Sequence, residues 1–124
     1  MLYPINKLEV VNETIILVES IIDAQLLRKW GYKNVLALMG SSLTNQQANF
    51  LKNHCNKVIS LFDNDEGGIL GNNKARKKLG KSLMYLTVTY PPKHYGKDPS
   101  EWGEILTKNT IETASLFKDK LRRL

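Results

Sequence analysis

The chain has a single cysteine, Cys55, among its 124 residues. It can therefore form no internal disulfide and no cysteine-cluster zinc site, and it suits a reducing interior. No apolar run approaches the roughly 20 residues that a membrane-spanning helix needs. Met1 to Val11 is interrupted by Pro4, Asn6, Lys7 and Glu9, unlike a secretory leader. A cytoplasmic protein with no membrane partner is the expectation. Internal repeats, low-complexity tracts and obvious linkers are also missing, and Tyr90 to Lys97, with Pro91, Pro92 and Gly96, is the one clear irregular loop. Acidic residues are the minority, 12 against 18 Lys and Arg, giving a formal net charge of +6. That excess favours a polyanionic partner, although a merely soluble basic domain would carry it nearly as well. The length suits one compact domain over 1–124 and is too short for two ordinary ones.

What is present is a repeated alternation of apolar strands and helical patterns. Thr14 to Val18, Val35 to Leu38 and Val58 to Phe62 are short, apolar and rich in β-branched residues, as strands covered on both faces should be. Leu83 to Thr89 alternates more and reads as a fourth strand. Between the first two, positions 22, 26, 27 and 30 place apolar residues on one helical face, closed by Gly31. Thr44 and Gln47 form a capping box ahead of a second helix, with Ala48 and Leu51 continuing its apolar face. Gly68 to Leu79 reads as a third, basic helix stopped by Gly80. Asp98-Pro99-Ser100-Glu101 supplies the N-cap, N1 proline and N3 glutamate of a fourth. Asn109 or Thr110 is expected to start a last helix running to the basic end. Strand and helix in alternation predict an α/β fold, a mainly parallel four-stranded sheet with helices on both faces. The expected divisions are a lead-in over 1–12, a core over 13–108 and a C-terminal basic helix over 109–124.

The most telling stretch is Phe62-Asp63-Asn64-Asp65-Glu66-Gly67-Gly68, an acid cluster between a strand and a helix start. In open α/β sheets, ligands collect beyond the carboxyl ends of the strands. Carboxylates crowded there repel one another unless a hard cation such as Mg²⁺ sits among them. The first strand ends at Val18-Glu19, and Asp23 follows one helical turn later, on the same sheet edge as Asp63 and Asp65. Plain alternatives stay open. Asp23 can be a first-turn helix-dipole residue, Asp98 an N-cap, and Lys74, Arg76 or Lys77 an ion-pair partner for Glu19. A carboxylate ending a buried strand needs some partner in any case.

These segments together resemble a known family. Val18-Glu19-Ser20-Ile21-Ile22-Asp23-Ala24, Leu38-Met39-Gly40-Ser41-Ser42-Leu43-Thr44, Phe62 to Gly68 and Gly96-Lys97-Asp98-Pro99 are similar to the TOPRIM domain, most of all that of bacterial-type DNA primases and phage primase-helicases. Leu2 to Asn6 is similar to the segment that precedes the domain in primases. The resemblance implies the Rossmann-like TOPRIM fold and a Mg²⁺ cofactor, with Mn²⁺ as substitute. It implies Glu19, Asp63 and Asp65 as catalytic and metal-binding residues, with Asp98 and, more weakly, Asp23 as further metal ligands. Lys74, Arg76, Lys77 and Lys78 would contact phosphate nearby, a solvated helix face being the plainer reading for at least two of them.

The implied activity is Mg²⁺-dependent nucleotidyl transfer in RNA primer synthesis during DNA replication. Its partners would be DNA or RNA, nucleoside triphosphates, and a template-binding or helicase protein. A complete primase of this kind also has a zinc-binding module and a basic subdomain, for which 124 residues and one cysteine leave no room. Two residues depart from the family pattern. Ser20 replaces the glycine usual after the glutamate, and Ser100 stands where primases commonly carry another acid. A TOPRIM-type nuclease and a non-catalytic nucleic-acid-binding TOPRIM module are the alternatives.

Overall fold

The computed structural model describes residues 13–38, 43–63, 66–89 and 98–116. The expectations for the lead-in over 1–12, for Gly40, for Asp65, for Tyr90 to Lys97 and for 117–124 lie outside the described residues. The chain order is β1 (Glu13–Val18), α1 (Ile21–Lys29), β2 (Val35–Ala37), α2 (Asn45–His54), β3 (Cys55–Ser60), α3 (Glu66–Leu79), β4 (Met84–Thr87), α4 (Pro99–Trp102), α5 (Glu104–Glu112) and β5 (Ser115–Leu116). The sheet runs β2-β1-β3-β4-β5. Its first four strands are parallel, as expected, and β5 is antiparallel to β4. Among the described residues no helix is long and apolar enough to cross a membrane.

Strand periodicity explains why both faces are covered. Ile15 and Leu17 of β1 point into one core with Leu36, Val58 and Tyr85, closed by Ala48 and Leu51 of α2 and Ala75 and Leu79 of α3. Ile16 and Val18 point the other way, against Val35 and Ala37, with Ala24 and Leu27 of α1, Trp102 of α4 and Ile111 of α5. A strand buried on both sides has no polar face to expose, hence the unbroken Ile15-Ile16-Leu17-Val18. The register sets Leu17 beside Leu36 and Ser60, so β1 is central and its end is level with that of β3.

The ends of the elements follow local chemistry. Gly31 turns at φ +105°, a conformation that favours glycine, and stops α1 as the sequence suggests. Thr44 Oγ1 accepts from Gln47 N and Gln47 Oε1 from Thr44 N, completing the expected capping box. Two expectations are corrected. Ile22, placed by periodicity on the apolar face of α1, is 63% exposed, and that face is carried by Ala24 and Leu27. The last helix does not begin at Asn109 or Thr110. Gly103, at φ +85°, separates the short α4 from α5, which runs Glu104–Glu112 and holds both residues in its interior. After α5 the Thr113 hydroxyl donates to the Thr110 carbonyl at 2.6 Å and accepts from Thr89 N at 2.7 Å. The chain then enters β5, so Ser115 and Leu116 pair with Thr87 and Leu86 instead of extending a helix. A bare β4 edge would leave ladder groups unpaired, and β5 covers them.

Candidate metal centre

Three strand-to-helix junctions meet at one sheet edge. After β1, Ser20 takes an extended conformation and caps α1, its Oγ accepting from Asp23 N at 3.2 Å. That cap fixes the first turn of α1, where the helix buries the Asp23 side chain to 1% exposure. After β3, Leu61 N donates to Leu17 O at 2.8 Å and Phe62 is buried, so the chain is held against β1 until Asp63. Asp63 N donates to Glu19 Oε1 at 2.9 Å. Before α4, Asp98 forms a capping box with Glu101: its Oδ1 accepts from Glu101 N at 3.1 Å, and Glu101 Oε1 lies 3.4 Å from Asp98 N.

Each of Asp23, Asp63 and Asp98 places a carboxylate oxygen within 4.8 Å of the others. Ser100 ties two of the three together. Its N–H donates to Asp23 Oδ1 at 3.2 Å and its hydroxyl to Asp98 Oδ1 at 2.6 Å. Asp23 Oδ2 is buried with no hydrogen-bond partner, a costly state for a carboxylate oxygen. Burial first, then the charges of Asp98 and Glu19, push the Asp23 carboxyl up to about 6, against the hydrogen bonds from Ser20 and Ser100. A cluster made only of oxygen donors, with the buried Asp23 Oδ2 unserved, fits a hard divalent cation such as Mg²⁺ or Mn²⁺.

The structure brings together three of the acids expected from sequence. Asp23 stands in the triad with Asp63 and Asp98. The Glu19 carboxylate braces the backbone at Asp63 through its Oε1. Ser100 contributes two hydrogen bonds to the acids beside it. Glu101 is committed to the cap, as its N3 position implies. No periodicity could have promoted Asp23, because its importance comes from a contact with residue 100. Its signal was its place in the first turn after a strand that itself ends in an acid.

Lys74, Arg76, Lys77 and Lys78 lie well along α3 from its start near Asp63. At 1.5 Å per residue, Lys74 is about 12 Å and Lys78 about 18 Å beyond Glu66 along the axis. Lys74 and Lys77 are exposed and Arg76 is half-buried. Lys78 Nζ donates to Leu43 O at 2.6 Å, fastening α3 to the start of α2.

Residues 16–102 match the family model described as Toprim-like. The DNA primase of Aquifex aeolicus is 36% identical over 109 residues, which are 88% of this chain and 20% of that protein. The DNA primase of Clostridium acetobutylicum is 33% identical over 92 residues, 74% of this chain and 15% of that one. The crystal structure of the Aquifex aeolicus primase, comprising zinc-binding and RNA polymerase domains, aligns with a TM-score of 0.76 at 30% identity, covering 89% of this chain and 28% of that one. The chain thus spans a fifth or less of these two curated relatives. It belongs to the Toprim-like family, and the domain it forms is a TOPRIM domain of the DNA primase type.

Proposed function

We propose that this TOPRIM domain holds a divalent cation, Mg²⁺ with Mn²⁺ as substitute, for nucleotidyl transfer in RNA primer synthesis during DNA replication. The supporting observation is the meeting of Asp23, Asp63 and Asp98 within 4.8 Å, with the buried Asp23 Oδ2 left without a hydrogen-bond partner. Those three carboxylates are the ligands, with Asp65 added from the Asp-x-Asp pattern of the sequence. When bound, the cation offsets phosphate charge and favours deprotonation of an attacking hydroxyl. The protein's own part is positional. Glu19 holds the backbone at Asp63, Ser20 sets the turn that carries Asp23, and Ser100 keeps Asp23 and Asp98 together. Lys74, Arg76 and Lys77 offer positive charge to a nucleic-acid backbone farther along α3. Template grip comes from other primase domains or from a template-binding or helicase protein in the cytoplasm.

The test starts from this chain with Mn²⁺ and a fluorescent nucleoside triphosphate. Binding that requires Mn²⁺ and is lost in Asp63→Ala supports the reading. The domain is then joined to the remaining domains of a primase and given single-stranded DNA and nucleoside triphosphates. Primer synthesis is the expected product. Cleavage of the labelled strand without synthesis would replace transferase by hydrolase, and DNA affinity indifferent to chelator with no product would make the module non-catalytic.

A further inference from the structure

The two helical layers on the sheet differ in charge. The layer of α1, α4 and α5 mixes both signs, Asp23, Glu101, Glu104 and Glu112 standing against Arg28, Lys29 and Lys108. The helices α2 and α3 carry a single acid between them, Glu66 at the start of α3, against Lys52, Lys74, Arg76, Lys77 and Lys78. They share one core, through Ala48 and Leu51 of α2 and Ala75 and Leu79 of α3, and so form one layer. Lys78 Nζ ties them together by its bond to Leu43 O, just ahead of α2. On the outer surface of that layer, Lys52, Lys74 and Lys77 are exposed cations, and Asn45, Gln46 and Asn49 are exposed amides. Ile69 and Leu70, 49% and 60% exposed, stand near the start of α3, at the sheet edge that carries the metal centre.

We infer that the outer surface of α2 and α3 guides single-stranded DNA past the metal edge, and that it does so without a metal ion. The inference rests on the proposed function for the identity of the strand: it is the template, which is present before any primer exists, and firm grip on it stays with other domains. Lysine is depleted at protein–protein interfaces, whereas cations and amides are the groups that contact phosphate and sugar. Lys74 and Lys77 lie about 4.5 Å apart along the helix axis, somewhat more than the roughly 3.4 Å per phosphate of a stacked strand. Each lysine can therefore meet its own phosphate. A duplex keeps its bases inside, while the unstacked bases of a single strand can rest on Ile69 and Leu70. With few phosphates neutralised, binding is weak and falls with salt, by about 0.7 in the logarithmic slope for each contact to a single strand.

The test is fluorescence anisotropy of a labelled oligothymidylate with the full 124-residue chain, in EDTA, over a series of salt concentrations. Binding that weakens with salt is expected. Lys74→Gln combined with Lys77→Gln should weaken it and lower the salt slope by about 1.4. Lys29→Gln combined with Lys108→Gln makes the same change in net charge on the other layer and should leave binding unchanged. Gln46→Ala combined with Asn49→Ala should weaken binding about 5-fold with the slope unchanged, since no charge is lost. Circular dichroism shows that each variant is folded. Equal losses from the two lysine pairs would mean bulk charge alone and would overturn the assignment to α2 and α3. Tighter binding of duplex DNA or of oligouridylate would overturn the choice of single-stranded DNA, and displacement by polyglutamate, charge for charge, would turn the surface over to an acidic protein. No binding in EDTA would overturn the inference outright. A separate Mn²⁺ titration keeps the two readings apart: failure to bind Mn²⁺ would remove the proposed function, while DNA held in EDTA on this surface would still stand.

Discussion

The backbone N–H of Ser100 donates to Asp23 Oδ1 across 77 positions of sequence, joining the first turn of α1 to the first turn of α4. This bond connects two junctions that no single sheet pairing brings together. It also partly offsets the cost of a carboxylate at 1% exposure, although Asp23 Oδ2 remains without a hydrogen. The metal-free fold therefore carries local electrostatic strain at this edge, as sites built for charged ligands commonly do.

Asp23 should accordingly make the metal-free protein less stable as pH rises. Its carboxyl has the ordinary value of 3.8 when unfolded and is pushed up to about 6 by burial when folded. The native state thus holds the proton more tightly, and the stabilisation present below about pH 4 is lost as pH climbs through about 6. Allowing for screening at an open edge, the loss is about 1–2 kcal/mol. Asp23→Asn should remove this slope and raise the metal-free melting temperature at pH 7.5, while weakening Mn²⁺ binding at least 10-fold. Thermal melts from pH 4 to 8, with and without Mn²⁺, check both halves. A variant that is stabilised and still binds Mn²⁺ as well as wild type would contradict the assignment of Asp23 as a ligand.

Gly68 sets the other side of the site. A Cβ built there would stand 1.8 Å from the carbonyl oxygen of Asp63, a backbone atom that no rotamer change can move. Gly68→Ala should cost about 1–3 kcal/mol through the forced shift, even though alanine is otherwise the better helix former by about 1 kcal/mol. Because the atom to be displaced belongs to Asp63, Mn²⁺ affinity should fall along with the melting temperature. Loss of stability with unchanged metal affinity would uncouple the glycine from the acid.

Farther along α3, Asn72 Oδ1 accepts the Tyr85 hydroxyl at 2.6 Å and the Ser60 hydroxyl at 2.8 Å. This node pins α3 onto β3 and β4, and burial holds the Tyr85 phenol above its usual ionisation range. Tyr85→Phe removes one donor and leaves Asn72 with Ser60, so about 1 kcal/mol is expected. Asn72→Ala leaves the two buried hydroxyls only their longer contacts, Ser60 to Leu86 O and Tyr85 to the Asn72 carbonyl, each at 3.4 Å, and should cost about 1–3 kcal/mol. In a double-mutant cycle the two changes should be clearly non-additive, because each removes the same bond. Denaturant melts of the four proteins provide the measurement.

Some of this was legible in the sequence and some was not, for physical reasons. The parallel strands announced themselves through apolar runs buried on both faces, and Gly31, Thr44 and Asp98 marked helix ends through local chemistry that needs no partner from far away. The short β5 carried no such signal, since two residues have no period and Ser115-Leu116 becomes a strand only because the β4 edge is there to pair with. The break at Gly103 was hidden by good helix formers on either side. At the site, the strand-end acids Glu19 and Asp63 were visible from their place beside apolar runs. The division of labour between them was not, because Glu19 turns to a backbone N–H 44 residues away. The same holds for Ser100, which looked like a lost acid until its two hydrogen bonds could be seen.

Helix α1 gives the sharpest contrast between pattern and packing. Helical spacing puts Ile22 and Leu27 among the same apolar set, yet Leu27 is 0% and Ile22 63% exposed. Rotation of the helix explains it: the first turn is anchored by the Ser20 cap and by Ser100 on Asp23, and burying Asp23 and Ala24 toward α4 and the sheet turns the neighbouring Ile22 outward. Leu27→Ala should therefore cost about 2–5 kcal/mol, the range for emptying a well-packed leucine site. Ile22→Ala should fall within about 0.5 kcal/mol of wild type in the same denaturant titration. If Ile22→Ala were instead as damaging as Leu27→Ala, the helix would be rotated by roughly one residue, about 100°. Asp23 would then leave the triad, so this pair of stability measurements also tests the geometry on which the metal centre depends.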